Sequence, residues 1–175
     1  MALASHPRPP LLFLDIDDVL CVNDPYGGLD VISPNPPSDL HERLFHRPAV
    51  ETLLAIVREH RPAVVMTTSW IRVLDRDAFE TLFLRTGLDC VARAFHPAAW
   101  HAPAAPGETR LQAIEAWLAR HHRGEPLVVL DDSVSGTGLA GSRLDDAARV
   151  VLCELRVGLH GGHLEFVRRA LAPSE

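Results

Sequence analysis

Short apolar runs recur along the chain at wide intervals, and between them hydrophobic residues return every third or fourth position. Leu11 to Ile16 is continuous, the pattern of a central parallel strand covered on both faces. The hydrophobic run from Ala63 that ends in Thr67 predicts a second strand, Leu88 to Phe95 a third, Leu127 to Asp131 a fourth and Ala148 to Leu155 a fifth. Pro48 can open a helix with Val50, Leu53, Leu54 and Val57 at helical spacing, and Pro62 separates it from the second strand. Asp75 caps a helix carrying Phe79, Leu82 and Phe83, with Gly87 as its stop. Thr109 and Gln112 form a capping box before Leu111, Ile114 and Leu118, and Leu164, Val167 and Leu171 mark a last helix.

Strand alternating with helix predicts a doubly wound, Rossmann-like α/β fold with a mostly parallel five-stranded sheet, whose ligands bind beyond the carboxyl ends of the strands. Pro25, Gly27, Gly28, Pro34, Pro36 and Pro37 crowd the interval from Asn23 to Asp39, so residues 21–40 read as a loop or small flap. Pro97, Pro103 and Pro106 make a second loop of His96 to Gly107. Neither the interval from Leu20 to Arg47 nor that from Trp70 to Thr109 has room for a full inserted domain, and the chain reads as one domain over residues 1–175.

Composition changes this picture in two places. A hydrophobic fraction of 47% over 175 residues supplies a sizeable core, while no run reaches membrane-span length and no secretory leader is recognisable, so cytoplasmic residence is the expectation. Cys21, Cys90 and Cys153 are too few and too scattered for a disulfide framework or a zinc knuckle, and read as buried thiols. The net charge of −6 gives no chain-wide attraction for nucleic acid. All 17 basic residues are Arg, so any catalytic cation must be a guanidinium, whose planar fork suits two phosphate oxygens.

Candidate chemistry lies where the strands run out. Asp15 and Asp17 follow the first strand, and carboxylates so spaced can divide labour: one attacks or binds a cation while the other moves a proton. In isolation this spacing would read as an acidic turn. Here Thr67 and Thr68 end the second strand, Arg110 opens a later helix, and Asp131 and Asp132 end the fourth strand.

Taken in order, Asp15-Ile16-Asp17-Asp18-Val19-Leu20, Ala63 to Trp70, Arg110 and Pro126 to Asp132 resemble the four signatures of the haloacid dehalogenase (HAD) superfamily of phosphatases, over almost the whole chain. Within the superfamily the set is most similar to the compact, capless HAD domains of RNA-repair proteins. The resemblance implies a phosphomonoester hydrolase that uses Mg²⁺ and passes through an aspartyl-phosphate. It implies Asp15 as nucleophile and Asp17 as acid and base. Mg²⁺ would be held by Asp15, Asp132 and the main-chain oxygen of Asp17, with Asp131 steadying a metal-bound water or Arg110. Thr67, with Thr68 as a near alternative, would hold a phosphoryl oxygen, and Arg110 would neutralise charge. A terminal phosphate on RNA or DNA, or another macromolecular phosphate, is the substrate this narrower likeness suggests.

Several positions carry competing readings. Arg72 and Arg93 are the replacements for Arg110, and Arg72 is also placed to touch substrate. Trp70 reads as packing before it reads as a base-stacking platform. Asp18 stands where the commoner motif has Gly, which bears on the turn and otherwise reads as a solvated acid. His160 and His163 lack further ligands and read as a helix start, and Asp145-Asp146 as a polar turn. Two other functions fit the sequence less well. A phosphoacceptor receiver domain needs a Lys, which the chain lacks, and a P-loop is absent. A catalytically weak or inactive HAD-fold binding module would be expected to lose the acids that this chain retains.

Overall fold

A computed structural model describes residues 8–173. In chain order the elements are β1 (Leu11–Leu14), α1 (Gly28–Val31), α2 (Leu40–Arg43), α3 (Arg47–His60), β2 (Ala63–Met66), a 3₁₀ turn (Ser69–Arg72), α4 (Arg76–Arg85) and α5 (Asp89–Arg93). They continue with α6 (Arg110–His121), β3 (Leu127–Asp132), α7 (Arg143–Asp146), β4 (Val150–Cys153), a 3₁₀ turn (Gly161–His163) and α8 (Leu164–Leu171). The four strands are parallel, in the order β2-β1-β3-β4.

The sheet divides its side chains by parity, as the two-residue period of a strand requires. Leu12, Leu14, Val64, Met66, Val128 and Leu130 face one core, against residues of α3, α4, α5 and α8 such as Leu53, Phe79, Val91 and Val167. Leu11, Phe13, Ala63, Val65, Leu127 and Val129 face a second core, closed by Ile114 and Trp117 of α6. Both faces are covered, which is why these strands read as unbroken apolar runs. Phe13 meets Trp117 edge-on at 5.2 Å.

Among the described residues the sheet has four strands where the sequence predicts five. The segment predicted as the third strand, Leu88 to Phe95, instead forms α5, with Val91 and Ala92 buried. Leu88, Val91, Ala92 and Phe95 recur at three- and four-residue spacing, and this helical period prevails over the apolar content of the run. The chain beyond α5 pairs with the sheet edge at two isolated bridges, Phe95 to Val64 and His101 to Met66. The breaker-rich flap contains the one-turn helix α1, and Asp145-Asp146 belongs to α7, where the Ser142 hydroxyl accepts from the Asp145 N–H.

Among the described residues no helix is long and apolar enough to cross a membrane. Cys21 and Cys153 are buried thiols as expected, while Cys90 is only partly covered.

Candidate active site

Strand order reverses between β1 and β3, because the chain passes from β1 outward to β2 and returns to the other side of β1. Such a switch point opens a crevice at the carboxyl ends of its strands. Asp15 follows β1 there, and Asp131 and Asp132 end β3. The Asp15 N–H donates to Leu130 O at 3.0 Å and the Thr67 N–H to Leu14 O at 2.9 Å, so the ladder extends into the site and fixes its backbone. Asp15, Thr67 and Asp131 continue the parity of the sheet face that α6 covers, and Arg110 is the first residue of that helix.

Arg110 is only 8% exposed. Its Nε lies 2.9 Å from Asp131 Oδ2 and its Nη2 lies 3.7 Å from Asp15 Oδ2, so one guanidinium spans two acids. The Thr137 hydroxyl accepts from the Arg110 N–H at 2.9 Å, and the capping box of Thr109 and Gln112 closes the same turn. These contacts hold a cation at a helix start, where the macrodipole disfavours it.

Carboxyl oxygens of Asp15, Asp131 and Asp132 come within 4.8 Å of one another. Both oxygens of Asp15 and the Oδ2 atom of Asp132 are buried without a hydrogen-bond donor, and Asp131 Oδ2 has only its ion pair with Arg110. Asp132 Oδ1, in contrast, accepts from the N–H groups of Val134 and Ser135 at 2.6 and 2.9 Å, which aims its other oxygen at the cluster. Buried carboxylates without partners are costly to ionise. Burial raises Asp15 to about 6, against the pull of Arg110. Asp131 is raised to about 8, first by burial and then by the charge of Asp15. An all-oxygen acidic pocket with orphaned acceptors suits a hard divalent cation such as Mg²⁺.

Asp17 stands apart from this triad. Its carboxylate is half-buried and accepts from Trp70 Nε1 at 2.9 Å. Burial raises its pKa, while hydrogen bonds from Trp70 and Asn23 oppose the rise. Thr67, Thr68, Arg72 and Arg110 line one cavity of about 170 Å³ beside the triad, with Ser135 and Thr137 from the loop after β3. Asp17 lines a neighbouring groove, and Arg72 and Ser69 border both spaces.

The structure thus gathers Asp15, Thr67, Thr68, Arg72, Arg110, Asp131 and Asp132 at one end of the sheet and leaves Arg93 outside. Arg93 is exposed and pairs with Asp89 at 2.5 Å. Asp18 is no merely solvated acid: at φ 51° it takes the left-handed conformation that Gly favours, and its Oδ1 accepts the Arg156 N–H at 2.7 Å. His160 and His163 cap the 3₁₀ turn before α8, each with Nδ1 accepting a backbone N–H. Sequence reasoning missed Ser135, Thr137 and Asn23. The Ser-Gly-Thr run after Asp132 was the available signal for the first two, and Asn23 had none.

A parallel sheet with an acid-lined switch point, a strand-end Thr and a helix-borne Arg has the arrangement of a HAD-type domain. A family model described as the HAD domain in Swiss Army Knife RNA repair proteins matches residues 11–164, and the chain belongs to that family. Membership points to phosphatase-type hydrolysis. No curated protein and no solved structure matches the chain.

Proposed function

We propose that this chain is a capless Mg²⁺-dependent phosphomonoesterase that works through an aspartyl-phosphate on Asp15 and acts on a terminal phosphate of nucleic acid. The observation that carries the reading is the guanidinium of Arg110, set between Asp15 and Asp131 at the floor of a cavity lined by Thr67 and Thr68. A phosphate monoester and a carboxylate repel each other, and a fixed cation removes that barrier.

Asp15, Asp131, Asp132 and the main-chain oxygen of Asp17 would hold Mg²⁺, which supplies positive charge against the phosphoryl oxygens. In the first half-reaction an oxygen of Asp15 bonds to phosphorus as the bond to the leaving oxygen breaks, and Asp17 gives that oxygen a proton. In the second, water bonds to phosphorus, the Asp15–phosphorus bond breaks, and Asp17 takes the water's proton. Thr67 and Thr68 offer hydroxyls to phosphoryl oxygens, and Arg72 reaches the substrate from the cavity rim. Binding energy remote from the phosphate then comes from the two loops at the rim, which favours a large substrate over a small sugar phosphate.

The test is release of inorganic phosphate from 3′- and 5′-phosphorylated oligonucleotides with Mg²⁺, beside the Asp15→Asn protein. Turnover in the wild type and near-abolition in the variant is the expected result. Undiminished activity in Asp15→Asn would remove it as nucleophile, while binding without any turnover would return the reading to a non-catalytic module.

A further inference from the structure

Beside the phosphate cavity runs a groove of about 400 Å³, walled by Leu29 and Ile32 of the flap and by Trp70, Val73 and Leu74 after β2. Its rim concentrates apolar surface that water would otherwise touch: Leu29 is 82% exposed, Val73 61% and Ile32 46%. Convergence of three exposed aliphatic side chains on one concavity marks a binding surface. Asp17 and Asn23 supply its polar side, and Arg72 and Ser69 join it to the phosphate cavity.

We propose that this groove is the leaving-group subsite and takes the nucleoside that carries the scissile phosphate. The inference rests on the phosphatase reading and adds the residues that select the substrate. With the phosphoryl group among Thr67, Thr68 and Arg110, and with Asp17 the donor to the leaving oxygen, the remainder of the substrate must extend on the side of Asp17. That side is the groove. A sugar alone would leave its hydroxyls facing Leu29, Ile32 and Val73 without partners. A hydrocarbon chain would have no use for Asn23 or Arg72. A nucleobase offers an apolar face to the aliphatic walls, a hydrogen-bonding edge to the Asn23 amide and a π-surface on which the Arg72 guanidinium can stack.

Gly28 lets the flap pack closely on the indole at the groove wall: a Cβ there would come within 3.0 Å of Trp70 Cε2 and Nε1 and would displace one of the two.

The experiment compares kcat/KM for dinucleotides ending in a 3′- or 5′-phosphate with ribose 5-phosphate, glycerol phosphate and a phosphotyrosine peptide. One dinucleotide should lead by at least tenfold, the scale of a single base contact. Val73→Asp and Leu29→Asp should each lower the ratio of dinucleotide to glycerol phosphate by tenfold or more, whereas Leu84→Ser, at an exposed leucine lining a different pocket, should leave it in place. No dinucleotide preference, a preference that survives both Asp variants, or a leading phosphotyrosine peptide would each overturn the subsite while leaving the phosphatase standing.

If the chain turns over none of these compounds, the phosphatase reading fails and calorimetry decides the groove by itself. Adenosine monophosphate should bind at least tenfold more tightly than ribose 5-phosphate and lose that advantage in Val73→Asp. Equal affinities would overturn the proposal.

Discussion

Trp70 Nε1 donates to Asp17 Oδ2 at 2.9 Å, joining the turn after β2 to the turn after β1. Trp70 is also buried in the core, so one side chain packs and orients at once. A carboxyl that moves a proton must point at the leaving oxygen, and a buried indole that cannot rotate freely holds it there.

Trp70→Phe keeps most of the packing and removes the donor. For an alkyl phosphate, whose leaving group must be protonated, turnover should fall about tenfold or more, because general acid catalysis commonly contributes 10²–10⁴-fold. p-Nitrophenyl phosphate has a leaving group that departs without a proton and should lose much less. Equal losses on both substrates would reduce Trp70 to a packing residue.

Arg110 uses two different nitrogens for two acids, a span that a single ammonium cannot reproduce. Arg110→Ala should slow turnover at least ~100-fold, the usual scale for removing a charged partner of a transferring phosphoryl group. Arg110→Lys should recover only part of that loss. Arg93→Ala should be silent, since Arg93 lies outside the cavity. Steady-state kinetics of the three proteins check this, and wild-type behaviour of Arg110→Ala would pass its role to Arg72.

Most of the site was legible because its residues sit at the ends of elements that announce themselves. Unbroken apolar runs locate β1, β2 and β3, and each puts its chemistry at the first polar position beyond or at its end: Asp15, Thr67 and Asp131. Arg110 is legible because the family resemblance calls for a cation at the start of a later helix, the Thr109–Gln112 capping box marks that start, and the chain has no Lys. Leu88 to Phe95 misled because a short apolar run fits a strand and a helical turn alike, and only its contacts with α4 and α3 decide between them. The bond from Trp70 to Asp17 spans 53 residues, and the direction of the indole depends on how Gly28 and the flap pack against it. No local pattern encodes that direction.

The acid cluster predicts a specific coupling between pH, metal and stability. Asp15 is raised to about 6 and Asp131 to about 8, both above the ordinary carboxylate value of 3.8, so the folded state holds these protons more tightly than the unfolded chain. Their contribution to stability is therefore full below about pH 4 and is lost as pH rises through about 6 and then about 8, by at most about 1.4 kcal/mol per pH unit for each group. Mg²⁺ requires the ionised carboxylates and competes with the same protons. In chelator, this site should weaken the protein between pH 5 and pH 8, and added Mg²⁺ should raise the melting temperature strongly at pH 8 and little at pH 5. Asp132→Ala should shrink the Mg²⁺ increment at pH 8, because it removes an acceptor already aimed at the cluster. Thermal melts of both proteins at pH 5, 6.5 and 8, in chelator and in Mg²⁺, give the comparison. A Mg²⁺ increment that is the same at every pH, or one that Asp132→Ala leaves untouched, would place the metal somewhere other than Asp15, Asp131 and Asp132.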